Sequence, residues 1–359
     1  MKLFIKIIIL ILIVSCSKST EATDYVPVAE IEVNIDNFPK AKLSDYNFFK
    51  GNINNLLPNK NVLIYQPRNE LFTDYASKKR FVWMPKNSKA TFVNDSEVLD
   101  LPESSVLIKV FYYEDAMPSM SQKIIETRLM FKKNNEWIFA SYIWNDLQTD
   151  AFLSNTGANL PVTFMKNGAS QTINYQIPAL NVCATCHLLN NAITPIGIKP
   201  QNLNFSINYT DTTSKNQLQK WIDVGYLASG FSSNINSVVN YNDVNQDLET
   251  RVRSYFDSQC GHCHRVGGNG GTVVDLRYTF NETENNPTNM GVCVPNNTSF
   301  PGINRGKIVN PQNPSQSGLF YTITSNNSFY RMPRIGRTII DQEGVNLVNQ
   351  WINALPACN

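Results

Sequence analysis

Cys183-Ala184-Thr185-Cys186-His187 and Cys260-Gly261-His262-Cys263-His264 each set two thiols and an imidazole within five residues. Two cysteines separated by two residues reach the two vinyl groups of one porphyrin, and the histidine that follows falls under the iron as its proximal ligand. The spacing therefore predicts two covalently attached haem c groups. One is held by Cys183 and Cys186 with His187 on the iron, the other by Cys260 and Cys263 with His264 on the iron. The chain has three histidines in all, and two stand at these ligand positions. Structural zinc is a poorer match, because it takes four tetrahedral ligands and each motif offers three. A redox dithiol of the thioredoxin type belongs near a βαβ pattern, which neither motif has.

Each iron has a second axial position. For the second motif the expected distal ligand is Met332, in Arg331-Met332-Pro333-Arg334-Ile335-Gly336, on a loop between the motif and a terminal helix. A thioether is a soft, neutral donor that favours ferrous iron, so such a haem has a raised potential and suits electron transfer. For the first motif no donor stands out. Met84, Met165, Met290, Lys109 and Lys199 are all conceivable, and an open position would admit small ligands or peroxide. His262 is expected to face away from its own iron, at the surface or near a propionate, with service to the other haem as the lesser reading. No catalytic residue is identified.

Of the seven cysteines, three lie outside these motifs. Cys293 and Cys358 either pair as a disulfide, closing a loop of roughly 65 residues and adding a few kcal/mol, or remain buried thiols. Cys16 follows a basic start at Lys2 and Lys6 and the apolar run Ile7 to Val14. That run is too short for a bilayer span, which takes about 20 residues, and reads as a signal peptide over residues 1–15. Ile13-Val14-Ser15-Cys16 resembles a bacterial lipobox, which would make Cys16 an acylated first residue. The expected location is the cell envelope of a Gram-negative bacterium, facing the periplasm or at the outer membrane, with the membrane reached through the lipid anchor alone.

The elements that would position these groups fall into segments. Residues 16–38 are polar and patternless, as a tether would be. Over residues 39–178, short runs rich in β-branched and aromatic residues alternate with turn formers: Val62 to Tyr65, Arg80 to Trp83, Val106 to Tyr113, Thr127 to Phe131, Trp137 to Ile143 and Gln171 to Tyr175. They predict a β-rich, sandwich-like domain without histidine or cysteine. Residues 179–246 hold the first haem motif, an amphipathic helix over Asn216 to Leu227 and a Ser/Asn-rich linker. Residues 247–359 read as a small cytochrome c-like domain, with a helix running into Cys260 and a last helix from Asp341, a good N-cap, to Leu355. The fold class expected is multidomain β plus α, the β-rich domain preceding mainly α-helical haem segments.

Apolar residues make up 42% of the chain and charged residues 17%, a globular balance. Removing residues 1–15 removes two lysines and no acid, leaving 29 basic and 29 acidic residues. That balance leaves no electrostatic footprint for nucleic acid.

Leu43-Ser44-Asp45-Tyr46-Asn47-Phe48-Phe49, Leu71-Phe72-Thr73-Asp74-Tyr75-Ala76 with Lys79-Arg80-Phe81, Glu126-Thr127-Arg128-Leu129, Trp144-Asn145, both haem motifs, Asn216-Gln217-Leu218 and Met332-Pro333 together resemble a family of bacterial dihaem c-type cytochromes. Its members are mostly lipoproteins, often encoded beside a parallel β-helix repeat protein. The resemblance covers nearly the whole mature chain and implies a β-rich domain followed by two haem-bearing segments, with Met332 matching the Met-Pro of the last. Asn310-Pro311-Gln312-Asn313-Pro314 departs from it by lacking a glycine before the Pro-x-x-Ser turn. The function expected is electron transfer at the cell envelope, with a redox protein as partner, the β-helix protein being one such partner. The alternative is a peroxidase-like dihaem enzyme with an open first haem.

Overall fold

Alternating apolar and polar residues give the strands of residues 62–177 two usable faces, and both are covered. The computed structural model describes residues 32–209, 213–271, 273–278, 287–303 and 306–358. Strands β1 Val62–Tyr65, β2 Ser77–Trp83, β3 Val106–Ala116, β4 Ser121–Lys133, β5 Glu136–Trp144 and β6 Ala151–Leu153 follow one another across an antiparallel sheet. The hairpin of β7 Ala158–Lys166 and β8 Ala169–Ile177 joins it at β3 through Ala116 and Phe164, making eight strands. Asn134-Asn135 and Asn167-Gly168 close two of the hairpins with positive φ at both positions (53° and 63°, 52° and 77°), the left-handed turn that matches strand twist.

On one face, Phe81, Val106, Ile108, Val110, Leu129, Ala140 and Tyr142 pack under Leu43, Tyr46, Phe48, Phe49 and Leu56 from the preceding segment. Val33, Ile35 and Phe38 also pack there, so the tether expected over residues 16–38 is already part of the fold by Val33. The expected signal peptide over residues 1–15 and Cys16 lie outside the described residues. On the opposite face Val82, Leu107 and Met130 meet Leu203, Leu218 and Trp221, while Tyr113 and Ile125 meet the β7–β8 hairpin. Between these two apolar regions runs a polar row. Arg80 pairs with Lys109, Lys109 with Arg128 and Arg128 with Ser141 across β2, β3, β4 and β5.

Two expectations about fold class are corrected. The β-rich region is one sheet covered on both faces, not a sandwich of two. The segments carrying the haem motifs are not mainly α-helical. After β8 come α1 Ala184–His187, α2 Pro200–Leu203 and α3 Gln217–Asp223, with the ribbons β9 Leu188–Leu189 and β10 Ala192–Ile193, then β11 Ser206–Asn208 and β12 Ser214–Asn216. Later come α4 Leu248–Gln259, α5 Gly318–Thr324 and α6 Gln342–Ala354. The remaining described residues in these segments are mostly turns and short 3-10 pieces. The cause is local. Asn, Ser, Gly and Pro compete with helix at short intervals, and apolar residues such as Trp221 bury against the sheet instead of against partner helices.

The helices that do form obey their end signals. Asn216 Oδ1 accepts from Leu218 and Gln219 N–H, Asp247 from Thr250 N–H and Asp341 from Gly344 N–H. Val252, Tyr255 and Phe256 of α4 pack on Val345, Val348, Trp351 and Ile352 of α6. The Cys293 and Cys358 sulfurs stand at bonding distance with Cα atoms 5.8 Å apart.

Glu32–Asn359 forms one compact unit, and side chains reaching between segments show why. Gln217 Oε1 accepts from Gln66 N–H while its amide donates to Gln66 O. Gln259 treats Phe72 N–H and Glu70 O the same way. The buried Asp74 carboxylate accepts from the N–H groups of Thr338 and Ile339 and from the Thr338 hydroxyl.

Candidate haem-binding site

Both motifs make the same single turn. Cys183 O accepts from Cys186 and His187 N–H, at 3.2 and 3.1 Å, and Cys260 O accepts from Cys263 and His264 N–H, at 3.0 and 2.9 Å. The sheet floors the first cavity and residues 178–199 cover it. Arg80, Leu107, Lys109, Arg128, Met130 and Phe139 come from the floor, and Cys183, Cys186 and His187 from the cover. Its empty space is about 1360 Å³, part of it open to solvent.

His187 is set up as a ligand. The Asn190-Asn191 turn, with φ of 50° and 64°, folds the β9–β10 ribbon back, so that Thr194 O lies 2.9 Å from His187 Nδ1. A carbonyl only accepts, so Nδ1 carries the hydrogen and Nε2 keeps its lone pair. Burial lowers the imidazole pKa to about 3, which keeps the ring neutral. Phe139 meets it edge to face, with centroids 5.1 Å apart. A backbone carbonyl on the far ring nitrogen is the usual support of a metal-binding histidine.

The second cavity, also partly open to solvent, is lined by Cys260, Cys263, His264 and Met332 together. The sequence-predicted histidine and methionine therefore share one cavity although 68 positions separate their numbers. His264 Nδ1 is buried without a hydrogen-bond partner, and burial lowers the pKa of its ring. A Cβ on Gly270 would stand 2.8 Å from that ring, so only glycine leaves the imidazole its place. The Met332 loop is fixed from both sides. Met332 N–H donates to Thr322 O at 2.9 Å. The buried Arg337 guanidinium donates to the carbonyls of Met332, Ser325 and Ile339.

The two motifs touch. Asn269 Nδ2 donates to Ala184 O and Thr185 O, Asn190 N–H donates to Gly267 O, and Leu189 bridges to Gly268. Cys186 lines both cavities. Its sulfur, the Cys263 sulfur and a His262 ring nitrogen lie within 4.8 Å of one another. A hydrogen bond from Cys263, reinforced by His262, lowers the Cys186 thiol pKa to about 5, and the same contact raises that of Cys263. These three donors fall one short of a tetrahedral zinc site, and no fourth His, Cys or carboxylate joins them among the described residues. His262 thus stands at the junction of the motifs, not out at the surface.

No family model, no curated protein and no solved structure matches the chain.

The donors suit haem in both cavities: paired half-buried thiols, a histidine beside them, and walls that are largely apolar. Of the donors weighed for the first iron, Met84 and Met290 are buried in apolar cores and Met165 lies on β7. Lys109 and Lys199 line the cavity. Lys199 is committed, donating to both carboxylate oxygens of the buried Asp257 at 2.8 and 2.9 Å. Arg128 is held by Glu126 through two hydrogen bonds of 2.7 and 2.6 Å, and Arg80 by Glu70. Sequence reasoning missed Thr194 and Gly270, which act through a backbone carbonyl and a missing Cβ, and Asn269 and Arg337, whose side chains donate to backbone carbonyls far along the chain. The Asn-Asn pair before Thr194 was their one readable signal.

Proposed function

We propose that the chain is a dihaem c-type cytochrome that transfers electrons at the cell envelope. The observation that carries this reading is the contact between the two motifs, with Cys186 and Cys263 side by side, so that the two attachment sites form one continuous centre. A c-type haem supplies an iron that cycles by one electron. The residues that would hold the first are Cys183, Cys186 and His187, and those for the second are Cys260, Cys263, His264 and Met332. Thr194 orients the His187 ring, Gly270 admits the His264 ring, and Arg337 and Asp74 hold the Met332 loop against the cavity. A neutral thioether from Met332 would raise the potential of a haem held in the second cavity relative to the first. With haem held in both cavities, this order of potentials would favour passing electrons from the first site to the second and on to an external partner.

We place this centre on a lipid anchor at Cys16, facing the periplasm or at the outer membrane, with a redox protein, the parallel β-helix repeat protein among the candidates, as partner. Potentiometric titration of protein matured with haem tests the reading. Two separable one-electron waves are expected, the higher one assigned to the methionine-bearing haem. A single wave, or none, contradicts it.

A further inference from the structure

Lys109 is out of keeping with its surroundings. It stands in the middle of β3 on the floor of the first cavity, with Arg80 and Arg128 as cross-strand neighbours. Those two neighbours have carboxylates of their own in Glu70 and Glu126, and Glu70 is also approached by Lys78 at 3.9 Å. Lys109 has no hydrogen-bond or ion-pair partner among the described residues. Its amine rests 4.6 Å from the centre of the Phe111 ring, a ring it shares with Arg128. Lys109 is half-buried, and the carboxylate that bears on it, Glu70, is already shared by Arg80 and Lys78; partial desolvation and the like charges on either side both disfavour its protonated form. A neutral amine in the same place has neither penalty, and a neutral amine is a donor for iron.

Resting on the dihaem reading, we propose that the ε-amine of Lys109 is the sixth ligand of the iron held by His187. The other donors of this cavity are worse placed. Arg80 and Arg128 are guanidinium groups that stay protonated. Lys199 is bound by Asp257. Met130, also on the floor, is packed into the apolar core with Val82, Leu107 and Trp221. Tyr65 is a buried phenol whose pKa burial pushes up to about 12, so it lacks the phenolate a ligand would need. Among the described amines and phenols of this cavity, Lys109 is the one without a hydrogen bond or ion pair, and it comes from the floor while His187 comes from the cover. Its pKa, driven well below the usual lysine value by burial and then by Arg80, Arg128 and Lys78, is in keeping with a free amine. With both axial positions filled, the first haem is a relay and is closed to peroxide.

Electron paramagnetic resonance and near-infrared magnetic circular dichroism of the oxidised, haem-matured protein test this. The wild type should show two low-spin haems, one with histidine–amine and one with histidine–methionine charge-transfer bands. Lys109→Ala and Lys109→Arg should each convert one haem, and only that one, to high spin, while Met130→Leu leaves both signals in place. A high-spin first haem in the wild type overturns the proposal without any variant. So does a low-spin first haem that is unchanged in Lys109→Ala. Arginine keeps the charge but cannot ligate. If Lys109→Arg retains the wild-type spectrum and Lys109→Ala changes only the potential, the lysine instead meets an anionic group such as a propionate, and the ligation is disproved. Haem stoichiometry separates these outcomes from failure of the dihaem reading, since two haems per chain with the wrong ligation refute Lys109 alone.

Discussion

His187 and His264 occupy the same place in their motifs and are held in different ways. The first has its Nδ1–H on Thr194 O, while the second has a buried Nδ1 without a partner and depends on the space above Gly270. A hydrogen bond to the far nitrogen raises ligand basicity and fixes the ring, so irons bound at the two proposed sites would differ in potential before their distal ligands are considered. On the proposed reading Met332 would widen that difference. Met332→Ala should leave the number of haems unchanged while lowering the potential of one of them by a measurable fraction of the roughly 0.8 V that axial ligands span. Potentiometry of the matured variant reads this directly, and two unchanged potentials would remove Met332 from the iron. The five-residue motifs could be read from sequence because spacing along the chain defines them. Thr194 and Gly270 could not, since a backbone carbonyl and a missing Cβ have no signature of their own.

At the scale of elements, the segment Leu71 to Ala76 with Arg80 acts as a seam between the sheet and the haem segments. Asp74 accepts from two backbone N–H groups and one hydroxyl of Thr338 and Ile339, and this anchors the strand of chain that follows the Met332 loop. Hydrogen bonds to a charged group are worth about 1.5–3 kcal/mol. Asp74→Asn should therefore lose stability of that order in a denaturant melt and should loosen methionine ligation, seen as a weaker near-infrared band. A stability loss with an intact band would limit Asp74 to the fold.

Glu70 is the acid-sensitive part of the seam. Burial pushes its carboxyl up, but Arg80 and Lys78 outweigh burial and hold it below its usual value of 4.5. A depressed carboxyl stabilises the fold above the unfolded value, and the contribution is lost as pH falls through the folded one. Glu70→Gln should lower Tm near neutral pH and flatten its decline below about pH 4.5. Equal acid slopes in the two proteins would show that the pair contributes nothing.

Over the whole molecule, the strands were readable because alternation and Asn-Asn or Asn-Gly turns are local signals. Val62 to Tyr65 is matched to the residue. β6 and β7 were not foreseen, since β6 has three residues and β7 carries Pro161. The helical character expected of the haem segments failed for a different reason. Trp221, Leu203 and Leu218 are buried against the sheet's second face, a long-range partner that no helical period reveals. That face is the larger structural commitment. Trp221→Ala should cost about 3–5 kcal/mol, because the cavity it leaves lies between sheet and haem segment; a cost below about 1 kcal/mol would mean that the two are not packed as one unit.

The central claim is that both motifs carry haem. The most direct measurement is the pyridine haemochrome spectrum of the chain, expressed with a c-type maturation system and quantified per polypeptide. The account predicts two haems per chain with the absorption of saturated thioether-linked porphyrin, falling to one when Cys183 and Cys186, or Cys260 and Cys263, are replaced by alanine. A stoichiometry below two in the unaltered chain would contradict it.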